Sequence, residues 1–239
     1  MEKKRFFTAR NIACLAVLVA LIVVLQLWGG YIRIAGTSLS FVLVPIVLGA
    51  ILLGRGAGAF LGLLFGVITI AMGITSDPFT QYLFGANPVG TILICLLKGL
   101  AAGLIPGLLY AWIARKNGYL GAIVASLAAP VCNTGIFVIG CLLMSGTLEG
   151  YMGMIGGYEG MSVAYFVIVV VALVNFIVEF VISAVLSPAI YAIVRVVGRA
   201  QSRRKPSAPA AAAEECPEEG DAAQKKAGEP GQKSVLQEK

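Results

Sequence analysis

Residues 89–114 read VGTILICLLKGLAAGLIPGLLYAWIA, an uninterrupted apolar stretch with a single charged side chain, Lys98. At about 1.5 Å per residue, a helix of this length crosses the ~30 Å hydrocarbon core of a bilayer. Gly99, Gly103 and Gly107 recur four residues apart, so they share one helix face on which a neighbouring helix can approach closely. The stretch therefore predicts a membrane-spanning helix that combines a close-packing face with a charge at depth.

The rest of the chain repeats this pattern. Apolar stretches cover residues 11–29, 39–53, 58–73, 89–114, 119–145 and 162–194. The chain is 59% hydrophobic and 13% charged, with a mean hydropathy of +0.90, and this composition excludes an ordinary soluble domain. The second and third stretches are short, and the last is long enough to require tilting or a kink. We predict an all-α, polytopic membrane protein whose six transmembrane helices form a bundle within residues 1–199.

Charged residues are distributed unevenly among the connectors. Basic residues flank the first and last stretches and also lie between the second and third and between the fourth and fifth: Lys3, Lys4, Arg5, Arg10, Arg55, Arg115, Lys116, Arg195, Arg199, Arg203, Arg204 and Lys205. Because Lys and Arg concentrate on the cytoplasmic side, we predict a cell-membrane protein with both termini in the cytoplasm. Residues 200–239 are rich in Ala, Pro, Glu, Lys and Gly and cannot bury a core, which predicts a disordered cytoplasmic tail.

Several kinds of chemistry are excluded by composition. The sequence has no histidine, and its five cysteines do not form pairs with metal-ligand spacing, so it predicts neither a metal site nor a Ser-His triad. No G-x-x-x-x-G-K-[ST] loop occurs, so the chain does not bind ATP phosphates in the P-loop manner. We expect no cofactor and no enzymatic activity, and energy for uphill transport would have to come from another chain.

Polar side chains occur deep within the last three stretches. Lys98 lies about nine residues into its stretch, about 14 Å down, and Asn133 is near the middle of the next. Asn175 and Glu179 are four residues apart and share one helix face. Carrying a charge to this depth costs at least about 2–3 kcal/mol, so such groups usually face a protein interior or a ligand.

Two interpretations of these groups are open. In the first, Lys98 and Glu179 form a structural ion pair that the amides bridge. In the second, Lys98, Asn133 and Asn175 bind a substrate in a pocket that opens to the outside. Glu179 is the deepest of the set, so we interpret it as a structural residue or as the floor of the pocket.

The connectors predicted on the outer side combine aromatic and polar residues with glycines. They read WGGYIRIAGTSLS at 28–40, ITSDPFTQYLFGANPVG at 74–90 and MSGTLEGYMGMIGGYEG at 144–160. We predict that they close the pocket, with the third as a lid, although aromatic residues at this level are also typical of the interfacial belt. The substrate-binding candidates from these connectors are Trp28, Tyr31, Arg33 and Asn87.

Small residues form a face on the first helix as well. Ala9, Ala13, Ala16 and Ala20 are separated by four, three and four residues, which places them on one side. Helices in lipid associate through such small faces. This face therefore either packs within the bundle or contacts another subunit.

In the order of its motifs, the chain resembles the substrate-binding S components of energy-coupling factor (ECF) vitamin transporters. The resemblance covers about residues 8–197. The stretches that carry it are TARNIACLAVLVAL at 8–21, SLSFVLVPIVLGAILLGRGAGAFLGLLFG at 38–66, LLKGLAAGLIPGLLY at 96–110 and NFIVEFVISAVLSPAI at 175–190.

The resemblance implies a protein that captures a vitamin or related micronutrient from outside, in a cavity formed by the outer halves of the later helices and their loops. It also implies a transmembrane coupling subunit joined to two ATPase subunits, with the alanine face, through either Ala9/Ala13 or Ala16/Ala20, as the contact. Riboflavin-specific members keep a lysine in the third span, where this chain reads GLLFGVITIAMG. That difference disfavours riboflavin and leaves folate, pantothenate, a thiamine precursor or another small cofactor open.

Two other functions stay open beside this one. A stand-alone secondary transporter or channel would move solute without ATPase subunits, although Glu179 is the one acidic residue within the apolar stretches. A membrane-embedded enzyme would need Glu179 as a base, but the sequence offers it no evident nucleophile or metal partner.

Overall fold

A computed structural model describes residues 8–29, 33–34, 37–38, 41–158 and 160–203. For residues 33–34, 37–38 and 198–203 it describes the backbone alone. Tyr31 and the tail beyond residue 203 lie outside this part of the chain. The elements, in order, are α1 (Ala9–Gly29), β1 (Arg33–Ile34), β2 (Thr37–Ser38), α2 (Leu43–Leu52), α3 (Arg55–Ser76), α4 (Pro78–Ala86), α5 (Pro88–Ile113), α6 (Gly118–Leu143), α7 (Ser145–Ile155), α8 (Val163–Tyr165), a π-helix (Phe166–Ala172) and α9 (Leu173–Arg203).

The described chain is almost entirely helical, as predicted, apart from one antiparallel hairpin of two-residue strands. Five helices within it are long and apolar enough to cross a membrane: α1, α3, α5, α6 and the continuous segment Val163–Val197. The second predicted span, residues 39–53, contains only the ten-residue helix α2 among the described residues. A helix of that length is about half of what a bilayer crossing requires.

Helix α2 lies inside the bundle, and its composition explains why. Seven of its ten residues are buried, and it packs against α1, α3, α5 and α6. A helix that is apolar on all sides is typically buried among neighbouring helices. The chain then turns at Gly54, whose φ of 97° is a left-handed conformation that favours glycine, and α3 begins at the next residue.

The two glycine rows of α3 and α5 pack directly against each other. A Cβ added at Gly62 would collide with the carbonyl oxygen of Gly99, and one added at Gly58 would collide with that of Gly103. A Cβ at Gly66 would lie 2.6 Å from the carbonyl oxygen of Cys95. Because hydrocarbon surrounds both helices, this backbone approach supplies van der Waals contact where the hydrophobic effect between helices is weak.

Short helices α4 and α7 occupy the connectors 74–90 and 144–160, where the sequence analysis did not place helices. The Asp77 side chain caps α4 and the Asn87 side chain caps α5, and a proline follows each cap as the first helical residue. An Asp or Asn cap followed by proline is a strong helix-start signal. Helices α4 and α7 contact each other and share an apolar cluster with α5, α6 and the π-helix.

The last membrane helix is irregular where it passes this cluster. Residues Phe166–Ala172 form a π-helix, in which backbone hydrogen bonds join residues five apart. Its first residue packs among the rings at the α4–α7 end, and its last residues, Val171 and Ala172, line the cavity described below. The π-helix therefore runs from the aromatic residues near α4 and α7 to the wall of that cavity.

Candidate functional site

A cavity of about 770 Å³, counting the space at its mouth, lies within the half of the bundle that carries α4 and α7. Its wall combines apolar side chains such as Phe79, Ile94 and Phe137 with polar ones. The polar and charged residues are Gln26, Thr69, Asp77, Thr80, Thr91, Lys98, Asn133, Thr134 and Asn175.

Three predicted site residues meet at this cavity. Lys98 comes from α5, Asn133 from α6 and Asn175 from α9, and all three line the wall. They arrive together because the glycine rows hold α5 against α3 and the small residues Ala122, Ala125 and Ala129 of α6 are fully buried in the bundle core. The polar positions found within apolar stretches thus converge on one region.

The other predicted candidates lie elsewhere. The Asn87 Oδ1 atom accepts a hydrogen bond from the backbone N–H of Gly90 at 3.0 Å, which caps α5, and Asn87 is not part of the cavity wall. Trp28 is 65% exposed at the end of α1. The side chain of Arg33 and the whole of Tyr31 fall outside the described residues.

Glu179 lies behind the cavity wall and is 2% exposed. Its Oε1 atom accepts a hydrogen bond from Asn175 Nδ2 at 3.0 Å, and its Oε2 atom accepts one from Asn133 Nδ2 at 3.3 Å. Each carboxylate oxygen thus has one amide donor. A buried carboxylate is tolerated when its oxygens are hydrogen-bonded in this way.

Lys98 reaches the cavity between two aromatic rings. Its Nζ atom lies 5.3 Å from the centroid of the Phe137 ring and 5.8 Å from that of Phe65. Such cation–π contacts contribute about 0.5–2 kcal/mol each. Within the described part of the chain, the ammonium makes no ion pair within 4 Å, so Lys98 and Glu179 attract each other only at longer range.

Asp77 is a cavity residue that the candidate set from the sequence did not include. Its Oδ2 atom accepts hydrogen bonds from the backbone N–H and the hydroxyl of Thr80 in the first turn of α4. Its Oδ1 atom is buried at the cavity without a partner. Gln26, near the end of α1, was not a candidate either, because an amide near a helix end is ordinary in a sequence, and its burial is seen only in the structure.

Buried polar atoms without partners are concentrated at this cavity. Among the described residues, the buried side-chain atoms that lack a hydrogen-bond partner are Gln26 Oε1, Asp77 Oδ1, Asn133 Oδ1, Thr134 Oγ1 and Asn175 Oδ1. All of them belong to residues that line the cavity. An unpaired buried polar group costs about 1–3 kcal/mol, and natural proteins contain few of them. The wall is thus arranged for a molecule that brings hydrogen-bonding groups of its own.

An aromatic cluster covers the cavity on the side of α4 and α7. The rings of Phe79 and Tyr151 meet edge-to-face with centroids 5.2 Å apart, and those of Tyr82 and Tyr151 are 5.3 Å apart. Tyr158 and Phe166 form a further edge-to-face pair at 5.0 Å. Because Phe79 also lines the cavity, the α7 helix contacts the cavity wall through this ring.

The alanine face of α1 is directed away from the bundle. Ala9, Ala13, Ala16 and Ala20 are all exposed. The buried residues Leu18 and Ile22 of the same helix lie on its opposite side. The face is therefore available to lipid or to another chain rather than to the described bundle.

Membrane-length helices around a polar internal cavity define a multi-pass membrane protein of the solute-transport class. A comparison with protein families identifies the family within this class. The chain belongs to the family of ECF transporter substrate-specific components, whose family model matches residues 10–191. This confirms the resemblance read from the sequence.

A curated relative agrees with the family. The chain is similar to the pantothenic acid transporter PanT of Lactococcus lactis subsp. cremoris (strain MG1363), with 29% identity over 154 residues that cover 58% of this chain and 76% of that protein. Family and relative together identify the chain as a membrane transport protein for vitamin uptake, and not as an enzyme.

Proposed function

We propose that this chain captures a vitamin from outside the cell in the cavity beneath α4 and α7, as the substrate-binding subunit of an ATP-driven ECF importer. The observation that carries the proposal is the concentration of unpartnered buried oxygens, together with the ammonium of Lys98, on one cavity wall. Hydrogen bonds from a bound solute would relieve the cost of those oxygens.

The chemistry of the wall favours an anionic solute that also carries hydrogen-bond donors. Lys98 supplies a cation to a carboxylate, while Asp77, Asn133 and Asn175 supply acceptor oxygens to hydroxyl or amide N–H groups. Pantothenate combines one carboxylate with hydroxyl groups and an amide. Similarity to a pantothenic acid transporter supports the same choice, so we propose pantothenate as the substrate.

The alanine face of α1 supports the proposed partner. An exposed row of small residues on a membrane helix permits close approach of a helix from another chain. We propose that Ala9, Ala13, Ala16 and Ala20 contact a transmembrane coupling subunit, which two ATPase subunits drive. The absence of a P-loop motif from the sequence agrees with this division of labour.

The distribution of charge supports the proposed orientation. Arg10, Arg55, Arg115, Lys116 and Arg195 all lie at helix ends opposite α4 and α7. Basic residues favour the cytoplasmic side. We therefore propose that the cavity opens to the outside, that both termini are cytoplasmic, and that residues 1–199 form the membrane domain with a cytoplasmic tail at 200–239.

Calorimetry on the purified full chain in detergent tests the substrate. Pantothenate is expected to bind with submicromolar affinity, whereas panthenol, in which an alcohol replaces the carboxylate, is expected to bind at least about tenfold more weakly because it cannot pair with Lys98. Riboflavin, folate and thiamine serve as controls. Failure of the whole panel to bind would overturn the proposal.

Reconstituted vesicles test the partner. Uptake of labelled pantothenate is expected only when the coupling and ATPase subunits and ATP are present. Uptake by this chain alone would identify a stand-alone secondary transporter or channel instead.

A further inference from the structure

Two asparagine amides on different helices share one carboxylate. Asn133 on α6 and Asn175 on α9 both donate through Nδ2 to Glu179, and the Oδ1 atom of each is buried without a partner at the cavity. The amide of each asparagine thus has its nitrogen directed to Glu179 and its oxygen left for the cavity. The two amides thus present oxygens and not nitrogens to the cavity, and the asymmetry comes from Glu179.

The asymmetry follows from hydrogen-bond chemistry. An ionised carboxylate only accepts hydrogen bonds, whereas an asparagine amide has a donor end and an acceptor end. Glu179 accepts a hydrogen bond on each of its oxygens. Neither amide can therefore turn its oxygen toward Glu179 without placing two acceptors against each other. Glu179 therefore fixes which end of each amide faces the cavity.

We infer that Glu179 is a positioning residue that makes this part of the cavity an acceptor surface and so selects solutes with hydroxyl or N–H donors there. The inference deepens, and rests on, the proposed capture of pantothenate. Glu179 does not itself line the cavity, so its effect on the solute passes through Asn133 and Asn175.

The variant Glu179→Gln separates this role from simple structural support. Glutamine has one acceptor and one donor end, so it can satisfy both asparagines only if one of them reverses its amide. That asparagine would then direct its NH₂ group to the cavity, where a solute N–H would meet a donor instead of an acceptor, whereas a solute hydroxyl could still accept. Ser183, one turn further along the same helix and also buried, provides the matched control as Ser183→Ala.

The measurement compares pantothenate with the analogue in which an ester oxygen replaces the amide N–H, by calorimetry on the full chain. The native protein should prefer pantothenate to this analogue by about tenfold or more. In Glu179→Gln that preference should fall by about tenfold, while affinity for the same analogue changes little. Ser183→Ala should retain the preference.

Other outcomes are equally informative. Equal weakening of pantothenate and the analogue in Glu179→Gln, or an unchanged preference, would overturn the inference and leave the proposed function intact. If Glu179→Gln does not fold, Asn133→Ala and Asn175→Ala take its place, and a full preference for the N–H of pantothenate over the ester analogue in both would overturn the inference. Failure of the native chain to bind pantothenate would instead remove the proposed function.

Discussion

The ammonium of Lys98 lies 5.3 Å from the centroid of the Phe137 ring, which joins a cation on α5 to an aromatic face on α6 at the wall of the cavity. Phe65 of α3 approaches the same ammonium from 5.8 Å. Ring faces attract a cation without neutralising it. The charge is thereby held at membrane depth and stays available to an anionic solute.

Replacing Lys98 should weaken binding of a carboxylate selectively. In Lys98→Met the side chain keeps much of its length but loses its charge, so pantothenate affinity should fall by about 10- to 100-fold, the equivalent of about 1.5–3 kcal/mol for a charge-assisted hydrogen bond. Panthenol affinity should change little, and Lys98→Arg should retain most of the preference. Calorimetry with both solutes checks this, and a parallel loss for both would assign Lys98 to packing.

The contact between Gly62 and Gly99 should be intolerant of any side chain. In Gly62→Ala the new methyl group would meet the Gly99 carbonyl, so α3 and α5 must separate and the protein should lose about 1–3 kcal/mol of stability. Gly56→Ala on the same helix is the matched control, since a Cβ there meets nothing within 4 Å and alanine favours a helix. Thermal unfolding in detergent compares them, and equal melting temperatures would refute the close contact.

The ring of Tyr151 should retain a bound solute by bracing the cover of the cavity. Tyr151→Ala removes the edge-to-face contact with Phe79, so pantothenate should dissociate several-fold faster while its association rate changes less. Tyr151→Phe keeps the ring and should behave like the native protein. Stopped-flow measurement of release is the check, and identical dissociation rates for Tyr151→Ala and Tyr151→Phe would count against a covering role for α7.

The sequence alone predicted the helical class and the polar residues that lie within apolar stretches. Lys98, Asn133 and Asn175 stood out because a polar group is costly in an apolar stretch. Asp77 and Gln26 did not, because polar residues in connectors and near helix ends are ordinary. Their role depends on which way α4 and the end of α1 face, and that is a property of the packing.

Helices α2, α4 and α7 show the same limit. Hydropathy marked the stretch that contains α2 as short, but it did not show that the helix ends at Leu52 and is buried among its neighbours rather than set across the bilayer. The caps at Asp77 and Asn87, each followed by proline, were readable as helix starts. Glycine-rich composition concealed α7, whose burial against Phe79 and Phe166 stabilises it despite weak intrinsic propensity.

The exposed alanine face makes a prediction about assembly that is independent of the solute. Ala16→Trp places a large ring where a coupling subunit would approach, so co-purification with that subunit and ATP-driven uptake should both be lost. Pantothenate affinity should be unchanged, because α1 lines the cavity through Gln26, which is ten residues and about 15 Å further along the helix. Leu21→Trp is the matched control, since Leu21 is also exposed but lies roughly 140° around the helix from Ala16.

Pull-down, uptake and calorimetry on both variants complete the test. Lost pantothenate affinity with intact assembly in Ala16→Trp would show that the face packs within the bundle, and equal loss of assembly in both variants would show that no particular face of α1 is recognised.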